Sequence, residues 1–123
     1  MKVKILIGNT FPLTLIRKKT VIIKEENLEK LRELLSKAEV YSFWGHENTR
    51  KAAEQFIGVS LQTKEFRPTI SLNKEGFPML YGEKFFECWI VSPNESKSYR
   101  LAIGSELSNE TIESWSILKL VWK

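Results

Sequence analysis

Two strand-forming runs, residues 20–24 (Thr-Val-Ile-Ile-Lys) and 39–44 (Glu-Val-Tyr-Ser-Phe-Trp), bracket a segment, 25–37, in which Leu28, Leu31, Leu34 and Leu35 recur at spacings of three and four. A pleated segment repeats every two residues and a helix every 3.6, so this change of period and its return predict strand, amphipathic helix, strand. Glu25 and Glu26 suit the positive end of the helix dipole. A further strand is expected at 3–7 (Val-Lys-Ile-Leu-Ile), closed by the turn formers Gly8-Asn9-Thr10-Phe11-Pro12. From His46 a second helix is expected to run to about Ile57, with Ala52, Ala53, Phe56 and Ile57 inward and Gly58 as its stop. Strands are expected again at 66–72 and 84–91, joined by a loop containing Gly76, Pro78 and Gly82. A polar turn at Asn94 to Ser98, a helix start at Ser108-Asn109-Glu110 and a closing strand from Trp115 to Trp122 complete the pattern. The fold class is α/β: one domain spanning 1–123, a mixed sheet with helices packed on it.

The 123 residues suit one hydrophobic core, and 42% of them are apolar. No run of about 18 apolar residues occurs, so no membrane helix is expected. The segment Ile5-Leu6-Ile7 is too short for a secretory signal, and a cytoplasmic location is the default expectation. Cys88 is the single cysteine and His46 the single histidine, which leaves no internal disulfide and no Cys/His set for a metal. Cys88, beside Phe85, Phe86 and Trp89, reads as a buried thiol. Trp44, Trp89, Trp115 and Trp122 fall mostly on expected strands and read as core. Nineteen basic residues interleave with fifteen acidic ones for a net charge of +4, compatible with a small anionic ligand but offering no basic tract for duplex nucleic acid. The densest cluster, Arg17-Lys18-Lys19, is explained at least as well by a solvated turn.

Chemistry is most concentrated where a strand stops at Gly45 and a helix opens with His46. A helix start offers unpaired backbone N–H groups and partial positive charge, Gly45 lets an anion approach the backbone, and Asn48 and Thr49 add side-chain donors. A histidine there can protonate a leaving oxygen near neutral pH. The same residues also read as no more than a strand end and a helix cap. Arg67 and Arg100 could pair with phosphate oxygens or form surface ion pairs. No nucleophile elbow, dinucleotide fingerprint or P-loop is present, and the carboxylates form no evident metal-binding pair; metal-free chemistry with no cofactor is the enzymatic option left.

The order strand, Gly8-Asn9-Thr10-Phe11, strand, helix, then Gly45-His46-Glu47-Asn48-Thr49 and Ile57-Gly58-Val59 resembles the ring nucleases of archaeal viruses and bacterial type III CRISPR loci, whose viral members are anti-CRISPR proteins. The likeness continues through Phe66-Arg67-Pro68, Arg100-Leu101 and Leu107 to Ile112, and fails from about 74 to 99. It implies a homodimer that binds cyclic tetra-adenylate across its two-fold interface and opens the ring without a metal. A ribose 2′-OH attacks the adjacent phosphorus and the family's histidine, which falls on His46, protonates the departing 5′-oxygen. Asn9 falls on the family's loop asparagine, and Arg67 and Arg100 on arginines near the ligand or interface. Thr10, Gly45, Asn48 and Thr49 complete the expected ligand-binding set. Two positions depart. Pro12 stands where the family often has serine, and Ile103 where it often has glutamate; Thr10 or Thr14 and Glu106 are the candidate replacements. The alternatives are a protein that binds or senses the cyclic nucleotide without cleaving it, and one that works through a protein partner.

Overall fold

A computed structural model describes residues 3–44, 47–61, 68–95 and 112–123. Along the chain it contains β1 (Lys4–Gly8), a 3-10 turn (Leu13–Leu15), β2 (Val21–Glu25), α1 (Leu28–Lys37), β3 (Glu39–Phe43), α2 (Glu47–Ile57), β4 (Ser71–Leu72), β5 (Pro78–Leu80), β6 (Glu83–Lys84), β7 (Glu87–Glu95) and β8 (Ile112–Trp122). Five strands form one mixed sheet in the order β2-β8-β7-β1-β3. β1 runs parallel to both neighbours, β3 and β7, while β8 is antiparallel to β7 and β2. β4, β5 and β6 form a separate antiparallel sheet.

Alternation along the central strands sorts the core into two layers. Ile5 and Ile7 of β1, Trp89 and Val91 of β7 and Ile117 of β8 meet Leu31 and Leu35 of α1 and Ala53 and Ile57 of α2. Leu6, Cys88, Ile90, Leu120 and Trp122 point the other way and meet Phe11, Ile70, Phe77, Leu80 and Phe85. Both helices therefore pack on one face of the mixed sheet, in line with the expected α/β fold, and the small sheet with its loops covers the other. A central strand apolar on both sides needs exactly such double cover.

The helices end as their sequences direct. The Asn27 side chain accepts from the Lys30 backbone N–H at 2.9 Å, capping α1, so the helix starts later than the expected 25. Gly58, at φ +82°, closes α2 with its N–H on the Glu54 carbonyl at 2.7 Å. Arg32 of α1 donates to the last carbonyls of α2, from Nε to Ile57 at 2.7 Å and from Nη2 to Phe56 at 3.3 Å. Phe56 stacks flat on Trp115 at 5.0 Å.

Several expected boundaries are revised. Of the strand expected at 66–72 only Ser71–Leu72 is extended in the sheet, with Phe66 and Arg67 outside the described residues. The expected loop holding Gly76, Pro78 and Gly82 contains β5 and borders β6. β7 continues to Glu95 where a turn was expected from Asn94, because the Asn94 amide donates to the Ser114 and Ser116 hydroxyls of β8 at 2.9 and 3.0 Å and holds the ladder together. Ser96 to Ser98 and the expected helix start at Ser108 lie outside the described residues.

Candidate functional site

β1 and β3 end side by side, with Gly8 paired to Phe43. The approach is close: a Cβ on Gly8 would lie 2.7 Å from both the Phe43 ring and its carbonyl oxygen. Beyond these carboxyl ends, where open α/β sheets usually bind ligands, a cavity of about 470 Å³ opens. Asn9, Thr10, Pro12, Thr14 and Leu15 of the first loop line one side of it, Phe43 and Trp44 of the β3 end another, and Pro68, Thr69 and Ile70 a third. Its volume falls within the range of small-molecule sites, about 300–1,000 Å³.

Two polar atoms in these walls are left without partners. Asn9 Oδ1 and Trp44 Nε1 are buried and neither has a hydrogen-bond partner among the described residues. Trp44 as a whole is 2% exposed. Leaving a buried donor or acceptor unsatisfied costs about 1–3 kcal/mol each. A ligand that offers a donor to Asn9 and an acceptor to Trp44 recovers that cost. The surrounding scaffold is fixed: the Ser42 hydroxyl donates to the Leu61 carbonyl at 2.8 Å, and the Glu54 carboxylate accepts from the Leu61 N–H at 2.6 Å. These bonds tie the β3 end and the chain after α2 together.

The expected site residues divide into three groups. Asn9 and Thr10 line the cavity. Asn48 and Thr49 sit in the first turn of α2, Asn48 exposed and Thr49 buried at 5% exposure, and neither lines the cavity. Gly45, His46, Arg67 and Arg100 lie outside the described residues, as do Ile103 and Glu106. In sequence, Gly45-His46 joins cavity-lining Trp44 to Glu47, the first residue of α2. At that helix start Arg50 bonds the Glu47 carboxylate at 3.3 Å and Glu54 at 2.8 Å, so the acidic group there is turned along the helix.

Trp44 is the residue that sequence reasoning assigned to the core alone. It is core and cavity wall together, and its position immediately before Gly45 was the available signal. The Pro12 departure lies in the cavity wall, with Thr10 and Thr14 on either side of it.

This architecture defines a small mixed α/β protein with a ligand-sized cleft at the carboxyl ends of its parallel strands. Among solved structures the chain is similar to B116 of Sulfolobus turreted icosahedral virus, with a TM-score of 0.58, 20% identity, and coverage of 96% of this chain and 98% of that one. The fold is thus shared over nearly the whole length with an archaeal-virus protein. No protein-family model matches the chain, and no curated protein matches it.

Proposed function

We propose that the protein is a metal-independent ring nuclease that binds cyclic tetra-adenylate as a homodimer and linearises it. The observation that carries this reading is the cavity at the ends of β1 and β3, with its unpartnered Asn9 Oδ1 and Trp44 Nε1, Trp44 being followed in sequence by Gly45-His46. A cleft of this size takes a nucleotide-sized part of the ring, and a second copy facing it across a two-fold axis takes the rest. The anti-CRISPR role is what the sequence resemblance implies, and the fold is one found in an archaeal virus.

In the proposed reaction a ribose 2′-hydroxyl gives up its proton to solvent water as its oxygen bonds to the adjacent phosphorus and the bond to the 5′-oxygen breaks, leaving a 2′,3′-cyclic phosphate and a 5′-hydroxyl. His46, in its protonated form, supplies the proton that the 5′-oxygen gains. Asn9 and Thr10 hold the nucleotide so that attack is in line, and such positioning is worth up to about 7–11 kcal/mol of the barrier. General-acid help adds about 10²–10⁴ in rate. Arg67 and Arg100 are assigned to the phosphates.

The test is incubation with labelled cyclic tetra-adenylate in EDTA, with products resolved by chromatography and binding read from the same samples. His46→Ala is expected to keep the ligand and lose about 10²–10⁴ in rate; full activity in that variant removes the assigned role. The second reading, binding without cleavage, is favoured by Pro12 in the cavity wall, where the resemblance calls for a hydroxyl. It predicts an intact ring after long incubation, with Asn9→Ala weakening capture.

A further inference from the structure

A second surface, formed by residues outside the cavity lining, gathers positive charge around an exposed aromatic ring. Phe86 immediately precedes β7, at the amino ends of the parallel strands, whereas the cavity lies at their carboxyl ends. Three segments meet there: Arg17-Lys18-Lys19, the turn from Asn73 to Phe77, and Lys84 to Phe86. Gly76, at φ +98°, allows the meeting. A Cβ at this position would come 2.3 Å from the Arg17 carbonyl oxygen and 3.2 Å from side-chain carbons of Lys18 and Lys19. Lys18, itself left-handed at φ +64°, donates from Nζ to the Lys74 carbonyl at 3.1 Å. The turn is held from beneath by the Asn73 side chain, which accepts from the Glu75 and Phe77 N–H groups at 3.0 and 2.9 Å.

The lysines are arranged on rings rather than on carboxylates. Lys19 Nζ lies 4.5 Å from the centre of the Phe77 ring, and Lys84 Nζ lies 5.2 Å from Phe77 and 5.0 Å from Phe86. The two rings meet edge to face at 4.9 Å, and Phe86 remains 53% exposed. Among the described residues, none of Arg17, Lys18, Lys19, Lys74 and Lys84 forms a salt bridge. Glu75 is the one acidic residue in these segments; of the two that flank them, Glu83 is bonded to Lys4, and Glu87 accepts from Trp89 Nε1 at 2.6 Å and lies 3.9 Å from Lys119 Nζ. Positive charge in excess, beside an uncovered ring, is the combination that single strands use: phosphates answer the lysines and an unstacked base answers the ring. An acidic peptide would answer only the charge, and a duplex keeps its bases stacked away from Phe86.

We propose that this Lys19–Lys84–Phe86 surface binds single-stranded nucleic acid, independently of the cavity. The probe is a fluorescein-labelled single-stranded oligothymidine of about 12 nucleotides, read by anisotropy against the intact protein over a salt series. Neutralising three or four phosphates gives a log–log salt slope of roughly −2 to −3. Lys19→Gln with Lys84→Gln should flatten that slope by roughly 1.4, and Phe86→Ser should weaken binding about tenfold at an unchanged slope. Asn9→Ala, in the cavity, should change neither. The lysine variants carry the test alone if Phe86→Ser fails to fold, as judged by circular dichroism. The proposal is overturned if the oligonucleotide does not bind, if the patch variants bind like the parent, or if Asn9→Ala abolishes binding. It is equally overturned if a duplex of the same length binds as tightly, or if anionic phospholipid vesicles bind through Phe86 while the oligonucleotide does not.

Discussion

Adding one methyl group at Gly8 should damage fold and site together. The new Cβ would stand 2.7 Å from the Phe43 carbonyl oxygen and 2.7–2.8 Å from two carbons of its ring. Carbon and oxygen ordinarily approach to about 3.4 Å, so the ends of β1 and β3 must part by roughly 0.7 Å. Ring rotation cannot relieve the carbonyl contact, because that oxygen belongs to the backbone of the paired strand. Overpacking of this kind costs about 1–3 kcal/mol. The reduced freedom of the unfolded chain returns about 0.4–1 kcal/mol, leaving a net loss of about 1–2 kcal/mol. For a chain of this length that lowers Tm by roughly 4–10 °C. Because Asn9 follows Gly8 and Trp44 follows Phe43, the same separation displaces both unpartnered atoms of the cavity. Gly8→Ala should therefore also reduce the rise in Tm expected from the proposed ligand. Differential scanning calorimetry with and without cyclic tetra-adenylate measures both effects. A variant melting within about 1 °C of the parent would refute the steric argument, and one that melts low yet binds normally would separate the strand ends from the site.

Other outcomes follow from contacts elsewhere. Arg32→Met keeps the aliphatic stem but removes the bonds to the Phe56 and Ile57 carbonyls, and should cost about 1 kcal/mol, seen as a Tm lower by roughly 3–6 °C. Cys88 is buried and its thiol pKa is pushed well above the usual value, first by burial and then by Glu87, so it should resist iodoacetamide in the folded state and react once the chain is unfolded in urea. The hydrogen bond to Glu83 raises the Lys4 pKa above its ordinary 10.5. The stabilisation from that contact is complete below 10.5 and lost as pH climbs through the raised value, so the Tm gap between parent and Lys4→Met should narrow in that alkaline range.

Periodicity made part of this fold readable. β1 reads as a short continuous apolar run, β2 and β3 as β-branched and aromatic stretches, α1 and α2 repeat their apolar residues at helical spacing, and Gly58 stops α2 at its expected place. Three of the four tryptophans were legible as core because strand-borne aromatics of that size have to be covered: Trp44, Trp89 and Trp122 are all at most 3% exposed, while Trp115 is half-buried against the helix-side core. The small sheet was not legible. Strands of two or three residues, such as Ser71–Leu72 and Glu83–Lys84, are too short to show alternation, and Pro78 looks like a breaker although it begins β5, where a strand tolerates proline. The same limit hid the basic surface. Arg17-Lys18-Lys19 reads as a solvated turn until Gly76, far along the chain, is seen to lie against it. Around the cavity, Asn9 and Thr10 came from the family resemblance and do line its wall, while Trp44 was hidden by its apolar character.

β1 has one partner, β3, soon after it in the chain and another, β7, only after residue 87. On a translating ribosome adding about 5–20 residues per second, the second edge of this hydrophobic strand stays open for seconds after the first is closed. Until the β7–β8 hairpin emerges, the nascent chain carries a sticky ribbon edge that chaperones, or another unfinished copy, can reach. Expression yield at raised temperature should therefore respond to how quickly that late pair of strands arrives, as well as to the strength of the finished core.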